Sequence, residues 1–198
     1  MTSRSRRCEG AFTLIELMVV IAIIVILMGL LFPAFRGVQD QAKKTQAKND
    51  LTQIVTAVNA YYTEYGKYPT AATSDIIFGA GGSANNLLFN PLRGLDVTLN
   101  PRQIVFLNAP DAKNQTTPVS GIQTSTGVYF DPWGSVYSTK IDADYTSQIE
   151  TNPYATNAGS SPLRQGVIAW ALGKDKAGGS GSSDKNAGTA DDDIISWQ

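Results

Sequence analysis

The chain divides by its pattern of apolar and polar positions into three stretches. From Ala11 to Phe35 it is apolar almost throughout and carries one charge, Glu16. That run meets the roughly 20 residues a bilayer-spanning helix needs. Beyond Pro33 the helical pattern continues but becomes amphipathic. Leu51, Ile54, Val55, Val58, Tyr62 and Tyr65 recur at spacings of three and four, with Lys43, Lys44, Lys48, Asp50 and Gln53 between them. The spacing predicts one continuous helical region from Phe12 to Tyr65, about 80 Å at 1.5 Å per residue. Gly29 and Pro33 weaken it midway, as a simple kink or as a point of local unwinding, and Gly66 and Pro69 end it. Tyr61, Tyr62, Tyr65 and Tyr68 at that end read as packing rather than as a ligand platform.

Residues 67–126 are rich in Gly, Asn, Thr and Pro and read as a variable connection. It contains one short helix near Asn85 to Phe89 and one apolar run, Ile104 to Leu107. From Gly127 the period changes to that of strands. Val128-Tyr129-Phe130 leads into Asp131-Pro132-Trp133-Gly134, a type I turn sequence with Asp first, Pro second and Gly fourth. Val136 to Ile141 returns from it, and Gly166 to Leu172 supplies a further strand. Asp131 is thus a turn residue, not a catalytic acid. Three strands against one helix make an α+β fold with a small antiparallel sheet.

Composition narrows the chemistry. At 198 residues the chain has room for one membrane segment and one modest domain. It contains no histidine, which removes the usual general base and the commonest zinc ligand. Sixteen Lys and Arg against 17 Asp and Glu leave no basic nucleic-acid footprint. Cys8 is the single cysteine, so no intrachain disulfide can form. Arg4, Arg6 and Arg7 precede the apolar run and orient it with the N-terminus cytoplasmic.

Glu16 needs a positive partner, because a carboxylate in hydrocarbon costs a few kcal/mol or more. A cut before Phe12 would create an α-amine one helical turn away, and staggered copies could pair amine with carboxylate. A basic leader followed by Phe12-Thr13-Leu14-Ile15-Glu16-Leu17-Met18-Val19-Val20 resembles the prepilin signature of type IV pilins and type II secretion pseudopilins. The resemblance implies a leader over residues 1–11, cleavage between Ala11 and Phe12 by a prepilin peptidase, and methylation of the Phe12 amine. It also implies an assembly role for Glu16 in the segment 12–35, and an amphipathic domain spine over 36–66. The family has Gly where this chain has Ala11, and Gly10 precedes it; cleavage after Gly10 would shift Glu16 by one position.

The C-terminal stretch mixes glycines with Asp175, Asp184, Asp191, Asp192 and Asp193 before Ile194-Ile195-Ser196-Trp197. It is either a solvated acidic loop or one closed by a cation. With neither His nor Cys available, an oxygen-binding ion such as calcium suits it better than zinc or copper. Leu172-Gly173-Lys174-Asp175 followed by Asp192-Asp193 resembles the calcium loop of the major pseudopilin, as Asp131-Pro132-Trp133-Gly134 resembles a block in its sheet. The resemblance implies Leu172, Asp175, Asp192 and Asp193 as ligands. The longer insert from Ser180 to Ala190 leaves Asp191 or Asp184 as possible substitutes.

The expected function is a structural, non-enzymatic subunit of a type II secretion pseudopilus. It would span the inner membrane once, with a periplasmic domain made of the spine 36–66, the connection 67–126 and the sheet and acidic loop 127–198. Expected partners are copies of itself, minor pseudopilins, the prepilin peptidase, the inner-membrane platform and the secretin. A type IV pilin or minor pilin is the alternative within the family. A membrane-tethered enzyme or binding module is the alternative outside it.

Overall fold

The computed structural model describes residues 12–178 and 184–198, and the side chains of residues 30–36 lie outside that description. The expected leader, with Gly10 and Ala11, also lies outside it. The chain forms two units, Met1–Ala42 and Lys43–Gln198. Helix α1 (Leu14–Tyr65) contributes residues to both.

In the first unit, Leu14 to Met28 are exposed, and no neighbour lies near the position a side chain on Gly29 would occupy. The helical assignment runs on through Pro33. Among the described residues, no helix is long and apolar enough to cross a membrane.

In the second unit the amphipathic pattern is realised as packing. Leu51, Ile54, Val58 and Tyr61 are fully buried, whereas Gln53 and Tyr62 stay exposed. Gly66 ends α1 in the left-handed conformation (φ 66°), its N–H donating to the Tyr62 carbonyl at 2.8 Å. The tyrosines there seat the following loops. Tyr61 donates to the Leu99 carbonyl and Tyr65 to Oδ1 of Asn100, while Tyr68 stacks on both Tyr62 and Tyr145, which also approach each other.

The main sheet has four antiparallel strands in the order β1 (Ile76–Phe78), β4 (Ser138–Ile141), β5 (Val167–Ala171) and β6 (Ile194–Ile195). Strand alternation splits β5 between two cores. Val167, Ala169 and Ala171 join the cluster that contains the α1 residues; Ile168 and Trp170 join Ile149, Tyr154, Leu163, Leu172 and Ile195 in a second. The sheet is therefore covered on both faces, with the acidic tail contributing to the second.

The structure realises the hairpin at its turn and adds strands to the expected three. The turn at 131–134 forms as expected, with the Gly134 N–H donating to the Asp131 carbonyl at 3.1 Å and Gly134 at φ 89°. Its two arms pair antiparallel at Phe130 and Val136, with the Asp131 N–H donating to the Ser135 carbonyl at 2.8 Å and the Tyr137 N–H to the Tyr129 carbonyl at 3.1 Å, and then diverge. β3 (Tyr129–Phe130) pairs with β2 (Gly121–Ile122) in a separate two-stranded ribbon, while β4 continues into the main sheet. The main sheet takes its two edge strands from the variable connection and the acidic tail, where two or three apolar residues carry no readable period. The short helix is found as α2 (Asn86–Leu92). The apolar run Ile104 to Leu107 is tied to the end of α2, where the N–H groups of Phe106 and Leu107 both donate to the Leu92 carbonyl.

Candidate functional site

Two places carry the sequence-predicted residues. At the start of α1, Glu16 is exposed and turned back on Thr13. Its Oε2 accepts from the Thr13 N–H at 2.9 Å and from the Thr13 hydroxyl at 2.6 Å, and the Glu16 N–H reaches Oγ1 of Thr13 at 3.4 Å. This reciprocal pair is a capping box, which satisfies donors that the first turn would otherwise leave open. Sequence reasoning weighed Glu16 only as a charge in an apolar run, although Thr-x-x-Glu before that run is the capping signal. Phe12 lies just before the helix and is exposed.

The second place is built from both ends of the acidic stretch. β5 runs out through Leu172, whose buried side chain packs in the second core. Gly173 follows in the left-handed conformation (φ 68°), where a Cβ would stand 2.5 Å from the Asp192 carbonyl oxygen and 2.7 Å from its Oδ2. Only glycine lets the two segments approach this closely. Oδ2 of Asp192 then accepts the N–H groups of Lys174 (2.5 Å) and Asp175 (3.0 Å), so one side chain fixes the turn. Oδ1 of Asp175 accepts from the Ala177 N–H at 2.8 Å. Asp193 is buried and accepts the Tyr154 hydroxyl at 2.8 Å on Oδ2. Burial and the Asp193 charge both push the Tyr154 phenol pKa up.

Together these contacts bring one carboxylate oxygen each from Asp175, Asp192 and Asp193 within 4.8 Å of one another. Asp184 and Asp191 are not in this group. Asp184 accepts from Nδ2 of Asn157 at 2.7 Å and from the Asn186 N–H at 2.9 Å, which lowers its pKa. Asp191 is exposed and offers its carbonyl to Lys185.

A second carboxylate group, Asp75, Asp142 and Asp144, has no sequence signal because Asp75 lies far along the chain from the other two. There the protein supplies its own cation, with Nζ of Lys140 3.4 Å from Asp75. A pocket of about 440 Å³ nearby is lined by Ile77, Lys140, Thr151, Asn152, Trp170 and Leu172 among others. Its Lys140 and Asn152 are already engaged, with the Thr151 carbonyl and the Ala158 carbonyl respectively.

Residues 6–32 match the family described as the prokaryotic N-terminal methylation motif. The start of the chain therefore carries an N-terminal methylation motif. The chain is 43% identical over 65 residues to the type II secretion system core protein G of Pseudomonas aeruginosa, covering 33% of this chain and 46% of that one. It is 39% identical over 92 residues to the type IV major pilin protein PilA of Myxococcus xanthus, covering 46% and 36%. To the type IV major pilin protein PilE1 of Neisseria gonorrhoeae it is 41% identical over 66 residues, covering 33% and 40%. The matches thus span less than half the length of each of these relatives. No solved structure matches the chain. The α+β arrangement, a long N-terminal helix with a small antiparallel sheet, is pilin-like.

Proposed function

We propose that this chain is a subunit of a type II secretion pseudopilus, cut between Ala11 and Phe12 by a prepilin peptidase and methylated on the new Phe12 amine. The observation that carries the reading is Glu16, the one charge in an otherwise apolar run, lying one helical turn from Phe12. Before assembly, the apolar segment 12–35 holds the chain in the inner membrane, N-terminus cytoplasmic and C-terminal domain periplasmic. Its stretch from Val19 to Ile26, β-branched at every position but Ala22, is a mediocre helix former in water and fits apolar surroundings better. In the filament the exposed side chains from Leu14 to Met28 bury against those of neighbouring copies, and the Phe12 amine of one copy meets Glu16 of the next. Minor pseudopilins, the platform and the secretin are the remaining partners. The 65-residue similarity to core protein G supports this reading.

The reading includes calcium at the acidic loop, held by Asp175, Asp192, Asp193 and the Leu172 carbonyl. Three carboxylates crowded together form an all-oxygen donor set, which suits a hard cation with flexible coordination. The ion supplies positive charge that offsets the repulsion among them.

The 92-residue similarity to a type IV major pilin supports a second reading, a surface pilus subunit. Deleting the gene separates the two. The pseudopilus reading requires exported proteins to accumulate in the periplasm while surface fibres persist; loss of fibres with normal export selects the pilus.

A further inference from the structure

The calcium ligands are not the only residues that shape the acidic loop. Tyr154 lies outside it, in the segment between β4 and β5, and is fully buried beside Ile149, Ala158, Ile168 and Trp170. Its N–H donates to Oδ1 of Asn152 at 3.1 Å, and Nδ2 of Asn152 donates to the Ala158 carbonyl at 3.0 Å, closing a tight turn around the ring. Nε1 of Trp197 donates to the same Ala158 carbonyl at 2.6 Å. The phenol is therefore a fixed point, and it delivers its one proton to Oδ2 of Asp193 at 2.8 Å.

We infer that Tyr154 is a positioning residue for the cation site, holding the Asp193 carboxylate against Asp175 and Asp192; this rests on the calcium reading above. Two physical effects support it. A carboxylate anchored through one oxygen cannot rotate away from the other two, so the site is arranged before the ion arrives. The phenol also withdraws part of the Asp193 charge, which lessens the repulsion among three crowded carboxylates in the absence of the ion. Outer hydrogen-bond partners of metal ligands typically contribute about 10–100-fold in metal affinity. Nothing in the sequence around Tyr154 marks it, because the contact spans 39 residues.

The test is calcium titration by calorimetry of the full chain purified in detergent, wild type against Tyr154→Phe, with terbium luminescence as a second probe excited through the nearby aromatic rings. Phe keeps the ring in its pocket and removes only the proton donor. The inference expects the calcium Kd to rise about 10–100-fold. It also expects the same substitution to change affinity less than about two-fold in an Asp193→Asn background, since Tyr154 acts through Asp193. A wild-type chain that binds calcium with a Tyr154→Phe variant of equal affinity overturns the inference and leaves the calcium reading standing. A wild-type chain that binds no calcium overturns both. Should circular dichroism in chelator show Tyr154→Phe unfolded, Asn152→Ala carries the same test. It loosens the turn that seats the phenol, and unchanged affinity there likewise overturns the inference.

Discussion

The Tyr137 hydroxyl donates a 2.8 Å hydrogen bond to Oδ2 of Asp50, so the entry to β4 and the buried face of α1 are joined by a polar contact inside an apolar core. Burial pushes the Asp50 pKa up and the Tyr137 and Tyr129 phenols up as well. Tyr137→Phe leaves a buried carboxylate short of a partner and is predicted to cost about 1–3 kcal/mol. Asp50→Asn keeps an acceptor for the phenol and removes the buried charge, so its cost at pH 8 should be smaller. Because the phenols titrate above their ordinary value of 10.0 in the folded state, their contribution is intact below pH 10 and is lost as pH rises further. Urea melts at pH 8 and above pH 10 check both statements; equal losses for the two variants at pH 8 would contradict them.

Asp131 gives a different pH signature. Oδ1 accepts the N–H groups of Trp133 (2.9 Å) and Ser135 (2.8 Å), while Oδ2 is buried without a hydrogen bond. Burial outweighs those bonds and raises its pKa from 3.8 to about 6. A raised carboxyl favours the native state when protonated, so its contribution is present below pH 4 and is lost as pH rises through about 6, by up to about 3 kcal/mol. Asp131→Asn is predicted to flatten stability against pH between 4 and 6. Asp131→Ala, which leaves both N–H groups unpaired, should cost about 1–3 kcal/mol at every pH. Denaturant midpoints across pH 4–8 decide it, and an Asn variant with the wild-type slope would be the contrary result.

At Gly173, alanine would place a methyl group against Asp192 in a backbone conformation that L residues rarely adopt. Gly173→Ala is predicted to lose about 1–3 kcal/mol and to abolish any rise in melting temperature on exchanging chelator for millimolar calcium. Scanning calorimetry in the two buffers reads both effects. A variant that keeps a wild-type calcium response would show that Asp192 is not held through this approach.

Glu16 caps α1, and the proposed function gives it a second, separable role in assembly; one substitution divides the two. Gln can replace Glu in a capping box, whereas Ala cannot. Glu16→Gln should therefore keep the first turn of α1 and lose the pairing with a neighbouring amine. Filament assays on Glu16→Gln and Glu16→Ala are predicted to fail alike. Normal assembly of the Gln variant would assign Glu16 to helix capping alone.

Much of this molecule was legible in sequence because its signals are local. The period of Leu51, Ile54 and Val58, the stop at Gly66 and the Asp131–Gly134 turn depend on neighbours within a few residues, and the structure realises them. Asp175, Asp192 and Asp193 were singled out together and lie together. What escaped is non-local or very short. Strands Ile76–Phe78 and Ile194–Ile195 acquire their identity only by pairing with β4 and β5. Tyr154 and Asp75 reach their partners across dozens of residues. The divergence of the arms after Asp131 is set by where β2 and β1 arrive, which the turn sequence does not encode.

The account rests on the chain being cut before Phe12, and the intact mass of the protein purified from its native membrane tests this most directly. The predicted species begins at Phe12 and carries one added methyl group. A species that begins at Met1, with Arg4, Arg6 and Arg7 still attached, would contradict the account.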